Sequence, residues 1–228
     1  MEGRVKMLRD RRKDENHFEV YLQEIKQNIS EYYELYKNIP SENQFGKTQC
    51  LGYIAHLYRN ELVAMYSAGF PVGEIKQVFQ QCIETTMVSV DECSSYYPIL
   101  ELLALAVLVG YDKPEIIQNI LIKAGIHNKL TDIFAHYIDK NWGIEENIDW
   151  CPWFSDFCNC PLDGRSQFLK QYLSQKWYKD HKDDDWYNNH QSNLYTGYWG
   201  FEVAAVAKIY GVPDSKEWPY YPYDLVHC

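Results

Sequence analysis

Residues 96–110 read Tyr96-Tyr97-Pro98-Ile99-Leu100-Glu101-Leu102-Leu103-Ala104-Leu105-Ala106-Val107-Leu108-Val109-Gly110, and how this stretch is buried decides the fold. From Tyr96 to Val109 it is apolar almost all round, so a helix here has no face that prefers water and belongs at the centre of a core. Gly110 ends it, and Asp112 and Pro114 open the next helix. The apolar run from Ile99 to Val109, interrupted by Glu101, is far too short to span a bilayer, which takes about 20 apolar residues.

A buried helix needs amphipathic partners, and apolar residues recur at spacings of three and four on both sides of it. Upstream, one stripe is Phe18, Tyr21, Leu22, Ile25, Ile29, Tyr32, Tyr33 and Tyr36. A second runs from Leu51 to Tyr66 and is closed by Gly69, and a third runs from Val72 to Met87. Downstream, Ile116, Ile117, Ile120 and Leu121 precede Gly125, and Leu130, Ile133, Phe134, Tyr137 and Ile138 form a short sixth helix. Residues 141–163 break the pattern, with Asn141-Trp142-Gly143, Pro152 and Pro161, and read as a long aromatic and acidic connection. Helical spacing resumes at Phe168, Leu169, Tyr172, Leu173 and Trp177, and a last helix is predicted over Tyr195–Tyr210. The tail from Trp218 to Asp224 is too proline-rich for a helix, and its four aromatics need apolar cover, so it is expected to pack back on the body. No alternating stretch reads as a strand. The predicted fold is all-α, a compact multi-helix bundle of two associated helical halves. They are an N-terminal helical domain over 5–110 and a C-terminal one over 112–228.

Charge narrows the class of partner. The 228 residues carry 22 basic and 32 acidic side chains, a net −10. Six of the basic residues, Arg4, Lys6, Arg9, Arg11, Arg12 and Lys13, sit in an N-terminal arm that reads as frayed or helix-starting. Residues 14–228 are left with 16 basic and 30 acidic side chains, a net −14. Such a body repels phosphate backbones, so nucleic acid is not an expected partner, whereas a basic protein is drawn in faster. No apolar export segment or membrane span is expected, which places the chain in the cytosol. Seven irregularly spaced cysteines, at 50, 82, 93, 151, 158, 160 and 228, read as reduced thiols rather than a disulfide framework.

Candidate sites are few. Cys151, Cys158 and Cys160 near Asp149 and Asp156 lack the paired spacing of structural zinc, so no metal is expected there. Asp183-Asp184-Asp185 beside Trp186 and Tyr187 combines steering charge with aromatic anchors and is the first candidate partner-binding surface. Glu145, Glu146 and Asp149, with Trp150, Trp153 and Phe154, repeat that mixture; they form either a second binding surface or a loop whose aromatics fill the core. The same Asp183–Asp185 run is flanked by His181 and His190, the raw material of a metal-assisted hydrolase, although no H-E-x-x-H motif or phosphate cradle accompanies it. Glu202 lies inside an apolar helix and should find Tyr, Trp or backbone donors; it and Asp224 read as structural acids. No catalytic residue and no cofactor is expected.

The C-terminal segments Tyr195-Thr196-Gly197-Tyr198-Trp199-Gly200-Phe201-Glu202 and Tyr220-Tyr221-Pro222-Tyr223-Asp224-Leu225, with Leu8-Arg9-Asp10 and the tyrosine-rich first helix, resemble the PoNi family. That family protects bacteria from polymorphic nuclease effectors. The resemblance implies an all-helical, two-domain cytosolic immunity protein. Its partner would be a metal-dependent DNase delivered by a secretion system such as type VI. It also marks Gly197, Tyr198, Trp199, Glu202, Tyr221, Pro222, Tyr223 and Asp224 as structural elements rather than contact residues. Three readings follow: a toxin-neutralising binding protein, a metal-assisted hydrolase on the aspartate loop, and a helical scaffold or regulator unrelated to toxins.

Overall fold

Asp14 opens the first helix, α1 (Glu15–Asn38), by accepting the His17 N–H on its side chain. Asn43 does the same for α2 (Gln44–Ser67), and α3 (Val72–Ser89) follows Pro71. The remaining helices are α4 (Tyr96–Val109), α5 (Pro114–Ala124), α6 (Lys129–Ile138), α7 (Pro152–Asn159), α8 (Arg165–Tyr172), α9 (Tyr178–Asp180), α10 (Phe201–Tyr210) and α11 (Tyr223–Val226). These come from a computed structural model that describes residues 7–145 and 151–228, and no strand occurs among them. The fold is all-α. Among the described residues no helix is long and apolar enough to cross a membrane.

The chain divides into two compact units, one of Met1–Val90 with Asn188–Tyr198 and one of Asp91–Tyr187 with Trp199–Cys228. In the first, α2 packs against both α1 and α3. Helix α1 buries Phe18, Leu22, Ile25 and Ile29, the inner line of the stripe read from sequence. The basic arm is not frayed from Arg9 onward. The Arg9 and Asp10 N–H groups donate to Ser67 O, and the Arg9 guanidinium donates to Tyr66 O at 3.0 Å and Phe70 O at 2.9 Å. Arg9 therefore bonds one carbonyl in the last turn of α2, which lacks an intrahelical donor, and one in the loop that follows. Asp10 is buried and accepts the Arg12 N–H at 2.9 Å and the Tyr195 hydroxyl. Gly69, at φ +82°, is where the chain closes on itself, because a Cβ there would stand 2.3 Å from Met7 O. The Asn188–Tyr198 segment joins this unit through Ser67, whose hydroxyl donates to Thr196 O at 2.6 Å, and through His17, bonded to Tyr195 O at 2.8 Å.

In the second unit α4 is the buried axis. Ile99 through Val109 are buried apart from the half-buried Glu101, and α10, α6 and α11 all pack on the helix. Each large apolar side chain enclosed there contributes about 1.5–3 kcal/mol. Three local expectations differ from the structure. The helix expected over Tyr195–Tyr210 begins only at Phe201, because Tyr195 and Tyr198 are buried with bonded hydroxyls in the first unit while Gly197 takes φ +134°. The long connection of 141–163 contains α7, started by Pro152 at its first position. The proline-rich tail forms the single turn α11 after Pro222, and it packs as expected, with Trp218, Tyr221 and Leu225 buried. The seven cysteines are thiols rather than disulfides.

Candidate functional site

Helices α8 and α9 form one continuous run from Arg165 to Asp180, joined by a π-helical turn at Leu173–Trp177. The turn places Trp177 inside the second unit, where its Nε1–H donates to Glu202 Oε1 at 2.6 Å. Gly200 makes room for this, since a Cβ on it would sit 3.2 Å from Trp177 Nε1 and 3.0 Å from Leu173 Cδ2. Glu202 is thus a buried acid with a tryptophan donor, in the first turn of α10. Burial raises its pKa, against the opposing influence of His181 and the Trp177 hydrogen bond.

Past α9 the chain turns through the acidic segment. His181 Nδ1 lies 2.7 Å from Asp184 Oδ2, and backbone bonds from Asp184 N to His181 O and from Tyr187 N to Asp184 O close two turns. The imidazole rests against Trp177 at 4.9 Å, Trp186 at 5.2 Å and the edge of Tyr97 at 5.8 Å. Burial depresses the His181 pKa, but the Asp184 hydrogen bond and the charges of Glu202, Asp184 and Glu101 outweigh it and leave the pKa raised. Trp186 stacks on Trp177 at 5.6 Å, Tyr187 on Tyr178 at 4.6 Å, and Tyr178 on Tyr220 at 5.9 Å. Two ring stacks, one of two rings and one of three, therefore hold the loop. Asp183 and Asp185 are exposed, Asp184 is turned inward, and Trp186 and Tyr187 are half-buried.

The second acidic candidate is only partly within the described residues, because Glu146 and Asp149 fall outside them. Glu145 is exposed, and its N–H donates to Asp132 Oδ2 at 3.0 Å. Asp132, fully buried, also accepts the Trp142 Nε1–H at 2.9 Å, and Trp142 stacks on His127. Asp132 is the anchor of this loop, and no motif in the sequence marks it. Phe154 is fully buried and Trp153 stacks on Tyr172, so these two aromatics of the region serve the interior.

The signature residues spread over both units. Gly197 and Tyr198 belong to the first, where the Tyr198 hydroxyl accepts the His190 N–H at 3.0 Å. Trp199, half-buried, opens the last stretch of the second. There the Tyr221 hydroxyl donates to Asp214, Pro222 precedes α11, Tyr223 packs on His227, and Asp224 is exposed. Leu8-Arg9-Asp10 is the clamp on the end of α2 described above. His190 is bonded to Tyr198 and His181 to Asp184, each within its own unit. Among the described residues no three His, Cys, Asp or Glu side chains converge as metal ligands, and Cys151 Sγ faces the Tyr96 hydroxyl at 3.3 Å.

A sequence model described as PoNe immunity protein (PoNi), N-terminal, matches residues 9–122, and one described as PoNe immunity proteins (PoNi), C-terminal, matches residues 127–225. Among solved structures the chain is similar to protein PA2201 from Pseudomonas aeruginosa, with a TM-score of 0.75 at 16% identity over 98% of this chain and 91% of that one. At that identity the likeness concerns the fold. No curated protein matches.

Proposed function

The chain belongs to the PoNi family of immunity proteins, which act against nuclease effectors, and from that premise we propose that it neutralises a cognate DNase by binding it. The observation that carries this reading is the pair of family matches, which together run from residue 9 to residue 225. Electrostatics supports it: a nuclease presents positive surface to DNA, and a chain of net −10 complements that surface. Inhibition is by occlusion or distortion of the effector's active site in the cytosol, without catalysis or a cofactor in this chain. The contact surface is the loop carrying Asp183, Asp185, Trp186 and Tyr187, with Glu145 and its acidic neighbours Glu146 and Asp149 as a second acidic edge. Asp184 contributes through His181, by fixing the loop.

Co-purification with the protein encoded next to it, followed by a DNA-cleavage assay, tests the function. We expect a stable complex and stoichiometric loss of cleavage. A neighbouring nuclease that is neither bound nor inhibited would falsify the proposal. The loop is tested separately: Asp183→Asn combined with Asp185→Asn should slow association at low salt by about three- to tenfold, the scale of steering by rim charges. An unchanged association rate removes this loop as the steering surface.

A further inference from the structure

One groove in the second unit has a polarity opposite to the net charge of the chain. It encloses about 390 Å3, and the described residues lining it include Lys129, His136, Lys140 and Arg165, without a carboxylate among them. Its apolar wall is Ile133 on α6, Ile209 on α10 and Ile144. The volume falls at the small end of ligand sites, which run to about 300–1,000 Å3. In a chain of net −10, four cationic or cation-forming side chains around one hollow without an acid are a local reversal of sign.

Arg165 is the observation that gives the groove a chemistry. Its guanidinium is held between the Phe157 ring at 4.8 Å and the Tyr210 ring at 5.1 Å. The stacking orients the planar fork without using its N–H donors. Its Nε is buried and has no hydrogen-bond partner, a costly state for a buried donor. Among the described residues neither Arg165 nor Lys140 has an ion-pair partner; Lys140 rests over the Tyr137 ring at 5.0 Å. His136 is oriented by Trp142, with its Nδ1–H donating to Trp142 O at 2.9 Å. A guanidinium fixed by stacking suits a carboxylate, which can take two parallel hydrogen bonds from its terminal N–H groups.

We infer that this groove receives an acidic side chain of the effector, with an apolar neighbour lying against Ile133 and Ile209. The inference rests on the effector-binding reading and gives that interface a second contact of reversed sign. A polyphosphate is disfavoured because the surrounding chain repels extended negative charge, whereas a single carboxylate on a basic partner is not. The pairing has a consequence for specificity. A basic nuclease without an acid at that place meets the acidic loop but leaves Arg165 desolvated and unpaired, so it is rejected after encounter.

The test has two arms. In the first, the full chain is titrated with acetylated and amidated Ile-Glu-Ile, with Ile-Gln-Ile, and with inorganic phosphate, following the Arg165 Nε–H by 1H–15N spectroscopy. The glutamate peptide should shift that signal and saturate near about 1 mM, the strength of one charge-assisted pair. The glutamine peptide and phosphate should leave it in place. Arg165→Met should weaken the glutamate peptide tenfold or more. Lys140→Ala, an exposed position that leaves the fold intact, should weaken it several-fold. No shift with any probe, or phosphate binding as well as the peptide, overturns the inference. In the second arm, the complex with the effector should dissociate about tenfold faster for Arg165→Met, with association unchanged. A complex that forms normally and ignores both variants overturns the groove as an effector contact. A chain that binds the tripeptide but no effector sinks the immunity reading instead.

Discussion

His181 is the residue whose environment departs furthest from what its neighbours in sequence suggest. It sits in a run of charged residues, Lys179 to Asp185, yet its imidazole is enclosed by Trp177, Trp186 and Tyr97 and bonded to Asp184. With the pKa raised in the folded state, the imidazolium stabilises the protein fully below the unfolded value, and this contribution disappears as pH rises through the folded value. Stability against urea should therefore fall as pH rises past the ordinary histidine range, and His181→Asn should flatten that decline. A profile identical to that of the parent chain would show that Asp184 and Glu202 do not hold the proton on His181. Glu202 was legible as a buried acid needing a donor because it interrupts an apolar helix. That Trp177 is the donor was not, since 25 residues and a π-helical turn separate them.

Among the elements, the periodic ones were the easiest to read. The extent of α4 was predicted to the residue, because nothing but burial satisfies Ile99–Val109 and a glycine ends it. Helix α10 was predicted six residues too long, because hydroxyl hydrogen bonds of Tyr195 and Tyr198 hold the preceding segment extended against its helical spacing. The turn between α2 and α3 supplies a test with opposite signs four residues apart. Gly69→Ala places a methyl against Met7 O at positive φ and should cost about 1–3 kcal/mol or more in chemical denaturation. Gly73→Ala, inside α3 with open space around its Cβ, should stabilise by about 0.4–1 kcal/mol. Equal effects at the two sites would mean that the N-terminal arm does not close on Gly69 in solution.

At the scale of the whole chain, net charge is the property that acts over distance. Raising ionic strength from about 0.01 M to 0.15 M shortens the screening length from roughly 30 Å to 8 Å, so association with a basic effector should slow by about tenfold or more, with dissociation much less affected. An association rate insensitive to salt would remove steering from the account. The division into units is also a whole-chain property. Residues 188–198 fold with the N-terminal ninety, and Gly110, where the sequence shows its soft boundary, lies inside the second unit. Sequence order offers no sign of this, because the attachment is made by the Ser67 hydroxyl, His17 and Asp10, each an ordinary polar residue in its local context.

By itself, the sequence determined the helical class, the buried axis, the acidic character of the chain and, through its signature segments, the family. Each of these depends on periodicity, composition or short motifs, which are local or additive. Tertiary structure alone decided that Asp184 turns inward while Asp183 and Asp185 stay exposed, that Arg9 and Asp10 clamp the end of α2, and that Arg165 is held between two aromatic rings with an unused donor. The physical reason is common to all three. A hydrogen bond or a stacked cation is set by what the fold gathers around it: Arg9 reaches Tyr66, Arg165 reaches Tyr210, and the local Asp184–His181 pair is enclosed by Tyr97 and Trp177.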